Sequence, residues 1–79
     1  MFRVITMDNC RYCRLAKSAL DARDLAYTEE VAGPELRAQL VAVGLTTLPQ
    51  IYYSEEPGIV EHIGGFDDLT RYLNERDDA

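Results

Sequence analysis

The stretch Asn9-Cys10-Arg11-Tyr12-Cys13-Arg14 contains both cysteines of the 79-residue chain, with two residues between them. Residues 12–23 contain neither glycine nor proline, and Cys13, Ala16, Ala19 and Leu20 recur at the spacing of one helix face. Two thiols three positions apart on the first turn of a helix lie on the same side, so that one can attack a disulfide formed by the other. The stretch therefore predicts a redox-active dithiol at the start of a helix.

The two thiols are expected to have different roles. At the cap position of the helix, Cys10 faces the unsatisfied backbone amides of the first turn and the positive end of the helix dipole. Both lower the pKa of a cysteine from its usual value of about 8.5, so Cys10 is the predicted attacking thiol and Cys13 the buried resolving thiol. Arg11, Arg14 and, more distantly, Lys17 add positive charge that is expected to favour the thiolate further.

The alternative is a structural pair, either a disulfide staple or half of a zinc site. A structural zinc usually takes four ligands, whereas this chain offers two cysteines and the distant His62, so no metal site within the chain is expected. A disulfide across so short a loop gains little stabilising entropy and is readily reduced. A redox role is therefore favoured over a structural one.

Length and composition narrow the class of protein. The chain has room for one small domain, residues 1–79, and 47% hydrophobic residues indicate that it folds. A net charge of −6 disfavours nucleic acid as a partner, and no stretch has the length of a membrane span or a signal peptide. We therefore expect a cytoplasmic protein, in a reducing compartment where Cys-x-x-Cys is more often catalytic than structural.

The remaining sequence predicts four strands and two more helices. A strand at residues 2–6 precedes the cysteines, and a second, centred on Tyr27 and Thr28, follows their helix to complete a parallel βαβ unit. Pro34 begins a second helix that is expected to end at Gly44, with Leu36, Leu40 and Val43 on one face. Strands at 50–53 and 59–61 flank a turn at 54–58, and a last helix covers 66–75. The order βαβαββα predicts an α/β fold with a mixed four-stranded sheet flanked by three helices.

Three separated motifs together resemble one family. They are Cys10-Arg11-Tyr12-Cys13, Thr47-Leu48-Pro49-Gln50-Ile51 and Gly64-Gly65-Phe66-Asp67-Asp68-Leu69. The chain resembles, nearly from end to end, the small bacterial or bacteriophage dithiol glutaredoxins, which have a thioredoxin-like fold and use glutathione as reductant. The resemblance implies a thiol-disulfide oxidoreductase with catalytic Cys10 and Cys13.

The resemblance also implies a glutathione site. Leu48-Pro49 is expected to be a cis peptide that presents the Leu48 backbone to the cysteinyl part of glutathione, as an added strand would. The amides of Phe66 and Asp67 are expected to bind the γ-glutamyl carboxylate, with the Asp68 carboxylate on its ammonium group. The residues implied to bind glutathione are Tyr12, Thr47, Leu48, Pro49, Gly65, Phe66, Asp67 and Asp68. Without this resemblance, the sequence predicts a trans proline at Pro49 that starts a strand and a partly exposed ring at Tyr12. It also predicts that Asp67 and Asp68 cap the last helix.

The chain departs from the family pattern at three positions. Arg11 replaces the proline that is common between the cysteines, which leaves the reduction potential open. Met7 stands where many relatives have a lysine that helps to bind the glycine carboxylate of glutathione, and Leu45 stands where relatives often have a basic residue before the Thr46-Thr47 pair. Arg37 is a candidate substitute, and we expect a glutathione affinity below that of typical relatives.

The expected partners are glutathione and protein disulfides, with ribonucleotide reductase as a candidate client, and the expected state is a monomer. Two alternatives remain. One is a redoxin reduced by thioredoxin reductase. The other is a module in which two protomers hold an iron-sulfur cluster through Cys10 and glutathione, although Cys13 and the bulky Arg11-Tyr12 pair argue against it.

Overall fold

The computed structural model describes residues 1–77, which form four strands and three helices in the predicted order. The elements are β1 (Phe2–Thr6), α1 (Arg11–Ala22), β2 (Tyr27–Val31), α2 (Pro34–Ala42), β3 (Gln50–Glu56), β4 (Ile59–Gly64) and α3 (Phe66–Asp77). The sheet order is β2-β1-β3-β4, with β1 and β2 parallel and the other two pairs antiparallel. The predicted α/β fold with a mixed four-stranded sheet and three helices is confirmed.

One core cluster holds α1 and α3 together against one face of the sheet. Its buried members come from β1, β3 and the two helices: Phe2, Val4, Ala16, Leu20, Ile51, Leu69 and Leu73. Leu20 and Leu69 are fully buried, as expected for the apolar faces of two amphipathic helices. Because both helices pack on the same face, their first turns meet, and the rings of Tyr12 and Phe66 lie 6.1 Å apart between centroids.

The loop between β1 and α1 carries the first cysteine. Asn9 has a positive φ of 57°, a conformation that asparagine adopts more readily than most residues. The chain turns there and enters α1 at Arg11. No helix within residues 1–77 is long and apolar enough to cross a membrane.

The second helix differs from the prediction. It ends at Ala42, so that Val43 becomes its C-terminal cap and is 72% exposed, while Leu40 alone among its residues is buried. The predicted apolar face of Leu36, Leu40 and Val43 is therefore wrong at Val43. The physical reason is the early end of the helix, since the φ of −103° and ψ of 15° at Val43 take that residue off the helical path.

The β3-β4 hairpin is longer than predicted. β3 continues to Glu56 and β4 to Gly64, so the turn shrinks to Pro57 and Gly58, with Gly58 at φ 85°. An irregular register between Tyr53 and Glu56 accommodates the acidic residues, which remain exposed. Polar side chains are compatible with strand here because the ribbon is held by backbone hydrogen bonds and projects into solvent.

Two leucines of α1 offer a matched test of this core. Leu20→Ala should lower the free energy of unfolding by about 2–5 kcal/mol, because it leaves a cavity among fully buried neighbours. Leu15→Ala, at a site 37% exposed, should cost under about 1 kcal/mol. Urea denaturation followed by circular dichroism measures both, and equal losses would contradict this description of the core.

Candidate active site

The two cysteines lie at the N-terminus of α1. Cys10 is the N-cap residue, with extended φ and ψ of −106° and 108°, and the backbone N–H of Cys13 donates to its Sγ at 3.1 Å. The predicted cap position of Cys10 is confirmed. The pair forms a disulfide, with its Cα atoms 5.2 Å apart. Cys13 is 2% exposed and Cys10 is 8% exposed, so a reacting molecule reaches Cys10 first.

The segment before β3 lies against the Cys10 sulfur. The Leu48-Pro49 peptide is cis, as expected, and Pro49 is buried. The Sγ of Cys10 lies 3.7 Å from the carbonyl oxygen of Leu48. The Leu48 backbone therefore lies where a molecule bonded to Cys10 would contact it.

Two polar side chains hold this segment in place. The buried Gln50 donates its Nε2 to the Thr47 carbonyl at 2.9 Å. Its Oε1 therefore faces His62, whose Nε2 lies 2.7 Å away and donates to it. Through this pair of bonds β4 supports the backbone immediately before Pro49. From the sequence, His62 was considered only as a zinc ligand and Gln50 only as part of a strand and a motif. The available signals were a glutamine directly after the proline and a histidine two residues before Gly64.

The start of α3 forms the other side of the site. Asp68 Oδ2 accepts a hydrogen bond from the Gly65 N–H at 3.1 Å, and its Oδ1 lies 3.7 Å from Nη1 of Arg71. Asp68 thus caps the helix, which is the second of the two roles considered for it. The amides of the first turn, including those of Phe66 and Asp67, lie at the positive end of a 12-residue helix. This end of the site suits a carboxylate.

These elements line one open groove of about 510 Å³. All eight residues predicted to bind glutathione line it: Tyr12, Thr47, Leu48, Pro49, Gly65, Phe66, Asp67 and Asp68. Four others that were not predicted as binding residues line it as well: Leu45, Gln50, His62 and Gly64. Cys10 and Cys13 border a separate, smaller pocket on the side of β2, together with Thr6, Lys17 and Glu29.

Lys17 was expected to add positive charge that favours the Cys10 thiolate, but its ammonium group is paired with a carboxylate. Its Nζ lies 3.0 and 3.2 Å from the two carboxylate oxygens of Glu29, and the Thr6 hydroxyl donates to Glu29 at 2.7 Å. The Thr6 hydroxyl and, next, the Lys17 ammonium hold the pKa of Glu29 below its usual range, against the opposing effect of burial. Glu29 offsets the charge of Lys17, so only the exposed Arg11 and Arg14 remain of the predicted basic group.

The contacts of His62 are with other residues than the cysteines: its ring centroid lies 4.9 Å from that of Tyr52, and its Nε2 bonds to Gln50. Within residues 1–77 no three side chains of the histidine, cysteine, aspartate and glutamate types come together as a metal site would require.

Glu29→Gln tests the charge pair beside the thiols. Glutamine still accepts from Thr6 but no longer offsets Lys17, so reduced Cys10 should react with iodoacetamide at neutral pH about twofold to fivefold faster, which corresponds to the ~0.4–1 kcal/mol of a partly exposed charge. The double variant with Lys17→Met should return to the wild-type rate. An unchanged rate in Glu29→Gln alone would show that Lys17 does not act on the sulfur.

Gly64→Ala tests the support of the α3 N-terminus. Gly64 has φ 122°, and a methyl group there would lie 2.8 Å from Cγ of Asp68, so the substitution should displace the capping carboxylate and cost about 1–3 kcal/mol. Gly33→Ala is the control, because no atom beyond its chain neighbours lies within 4 Å of the added methyl. Urea denaturation gives the stability and the chemical shift of the Gly65 amide reports the cap. A shift that stays at its wild-type value would contradict this role for Gly64.

Comparisons with known proteins agree with this geometry. Residues 2–57 match the family model for glutaredoxin. The glutaredoxin of Neisseria meningitidis serogroup A is 36% identical over 70 residues, which cover 84% of this chain and 76% of the relative. The hybrid peroxiredoxin hyPrx5 of Haemophilus influenzae is 34% identical over 74 residues, 89% of this chain, and the chain spans only 28% of that protein's length.

Solved structures show the same fold. The solution structure of glutaredoxin from Brucella melitensis superposes with a TM-score of 0.76 at 34% identity, covering 94% of this chain and 78% of that one. A buckwheat glutaredoxin-glutathione complex superposes with a TM-score of 0.74 at 21% identity, over 94% of this chain and 68% of that one. The chain therefore belongs to the glutaredoxin family, whose members are thiol-disulfide oxidoreductases that use glutathione.

Proposed function

We propose that this chain uses glutathione to reduce protein disulfides and glutathione mixed disulfides through Cys10 and Cys13. The observation that carries the proposal is the position of the Cys10 sulfur, 3.7 Å from the Leu48 carbonyl that lines the groove leading to the start of α3. A tripeptide with its sulfur at Cys10 can extend along the Leu48 backbone in that groove. The buckwheat glutaredoxin-glutathione complex supports the same ligand for this fold.

The γ-glutamyl end of glutathione carries a carboxylate and an ammonium group, and the α3 end of the groove matches both. The first amides of α3 suit the carboxylate because they lie at the positive end of the helix. Asp67 and Asp68 line the groove beside them, and Asp68 retains lone pairs that can accept from the ammonium group while it caps the helix.

For a protein disulfide, the Cys10 thiolate attacks one sulfur, a new Cys10 mixed disulfide forms, and the other sulfur leaves as a thiolate that takes a proton. Cys13 then attacks the Cys10 sulfur, which releases the second thiol and forms the Cys10-Cys13 disulfide. One glutathione thiolate opens that disulfide at Cys10, and a second attacks the resulting mixed disulfide to release oxidised glutathione. For a glutathionylated protein, attack by Cys10 alone transfers glutathione to the enzyme.

The cap geometry explains the division of roles. The Cys13 N–H that bonds Sγ of Cys10 stabilises negative charge on that sulfur, and the helix dipole acts in the same direction. Cys13 is more deeply buried and reaches a partner only through Cys10. The client protein, a monomeric state and a cytoplasmic location remain predictions from the sequence.

A glutathione-coupled assay tests the proposed function. Reduction of a small glutathione mixed disulfide, followed by NADPH consumption through glutathione reductase, should be lost in Cys10→Ser, because the remaining thiol of Cys13 is buried and reaches a partner only through Cys10. It should survive in Cys13→Ser, since the mixed disulfide on Cys10 needs only a second glutathione. Reduction of a protein disulfide should fall in both variants.

A folded and reduced wild-type protein that is inactive in this assay would contradict the use of glutathione. Activity with NADPH and thioredoxin reductase in its place would then identify a redoxin of the other type. Loss of all deglutathionylation in a folded Cys13→Ser variant would contradict the division of roles.

A further inference from the structure

We propose that the groove binds the γ-glutamyl and cysteinyl parts of glutathione but provides no cation for the glycine carboxylate. The chain then accepts γ-glutamyl thiols with a neutral or missing glycine end about as well as it accepts glutathione. This inference rests on the proposed function and specifies which part of the thiol that site selects.

The charges around the groove are the main support for this inference. The chain has eight lysines and arginines, all within the described residues, and none of them lines the groove. Its charged lining groups are the carboxylates of Asp67 and Asp68. The basic side chain that lines it, His62, lies on β4 and donates its Nε2 to Gln50. Glutathione at neutral pH brings two carboxylates and one ammonium group, so one carboxylate is left after α3 has bound the other.

The direction of the groove decides which carboxylate that is. With the γ-glutamyl end at α3 and the sulfur at Cys10 beside Leu48, the glycine extends toward the opposite end, which is lined by Leu45 and Thr47. Leu45 is half-buried and apolar, and Thr47 is neutral. The glycine carboxylate therefore remains in contact with solvent, near an apolar side chain.

Two cations lie outside this end of the groove. Arg37 is exposed on α2 and does not line the groove; it lines a neighbouring pocket of about 80 Å³, which shares Leu45, Thr47 and Leu48 with the groove. Lys17 lies on the other side of the thiols, in the pocket next to β2, where Glu29 holds it. If Arg37 did bind the glycine carboxylate, its removal would lower the preference for glutathione over its ester.

The preference for glutathione over a neutral analogue distinguishes a glycine carboxylate that is bound by a cation from one that is solvated. A carboxylate held by an arginine through charge-assisted hydrogen bonds would favour glutathione over a neutral analogue by about tenfold or more. A solvated carboxylate contributes little, and the acidic groove and a net charge of −6 oppose it slightly. Loss of the γ-glutamyl group removes contacts at the α3 end and should reduce the rate by about tenfold or more.

The experiment measures how fast four thiols reduce the Cys10-Cys13 disulfide of the whole chain. The thiols are glutathione, its monoethyl ester at the glycine carboxyl, γ-glutamylcysteine and cysteinylglycine. Samples are quenched in acid, alkylated and counted by mass spectrometry, and each rate is divided by that of the same thiol with a small soluble disulfide, which corrects for intrinsic thiol reactivity. We expect the ester and γ-glutamylcysteine to fall within about threefold of glutathione, and cysteinylglycine to be about tenfold slower.

Two variants sharpen the result. Arg37→Gln should leave the ratio of glutathione to ester unchanged, whereas Leu45→Arg should raise that ratio about fivefold or more by supplying the missing cation. A wild-type ratio of about ten or more, or a ratio that drops in Arg37→Gln, would overturn the inference. If cysteinylglycine matches glutathione after correction, the groove selects no γ-glutamyl thiol at all, and the proposed function fails together with the inference.

Discussion

The packing of α1 against α3 over one face of the sheet is the constraint on which the rest of the structure depends. Leu20 of α1 and Leu69 of α3 are fully buried in the same cluster, with Phe2 of β1 beneath them. Because apolar burial is the main favourable term in a chain of this size, these contacts determine how the helices lie. Their first turns then meet, and Tyr12 of α1 and Phe66 of α3 both line the groove. The positive end of α1 carries the reactive sulfur, and the positive end of α3 suits a carboxylate.

The second requirement is a rigid backbone beside the sulfur. Gln50 is a polar side chain buried in an apolar sheet, and it is tolerated because both ends of its amide are hydrogen-bonded. Its bonds join β4 to the segment before Pro49. The Leu48 carbonyl is thereby held at the Cys10 sulfur through hydrogen bonds between side chains of β3 and β4.

Charge is distributed unevenly around the thiols. On the side of β2, Lys17 is held by Glu29, while on the opposite side the groove is lined by carboxylates and no lysine or arginine of the chain. The Cys13 amide and the helix dipole therefore contribute positive potential at the sulfur, with Arg11 and Arg14 exposed on the same helix. This arrangement leaves the reactivity of Cys10 less dependent on side-chain cations than the count of basic residues around the motif suggests.

The sequence by itself determined the order of the elements, the cap position of Cys10 and the three motifs of the site, because periodicity, turn residues and the spacing of two cysteines are local properties. The early end of α2 at Ala42 and the length of the β3-β4 hairpin were not evident, since the first depends on weak local preferences and the second on pairing between strands. Only the tertiary structure decided that Glu29 neutralises Lys17, that His62 supports Gln50, and which side chains face the groove. These contacts join residues 12 positions apart in the chain, and no local pattern specifies which distant charge or hydrogen-bonding group a side chain will meet once the core has packed.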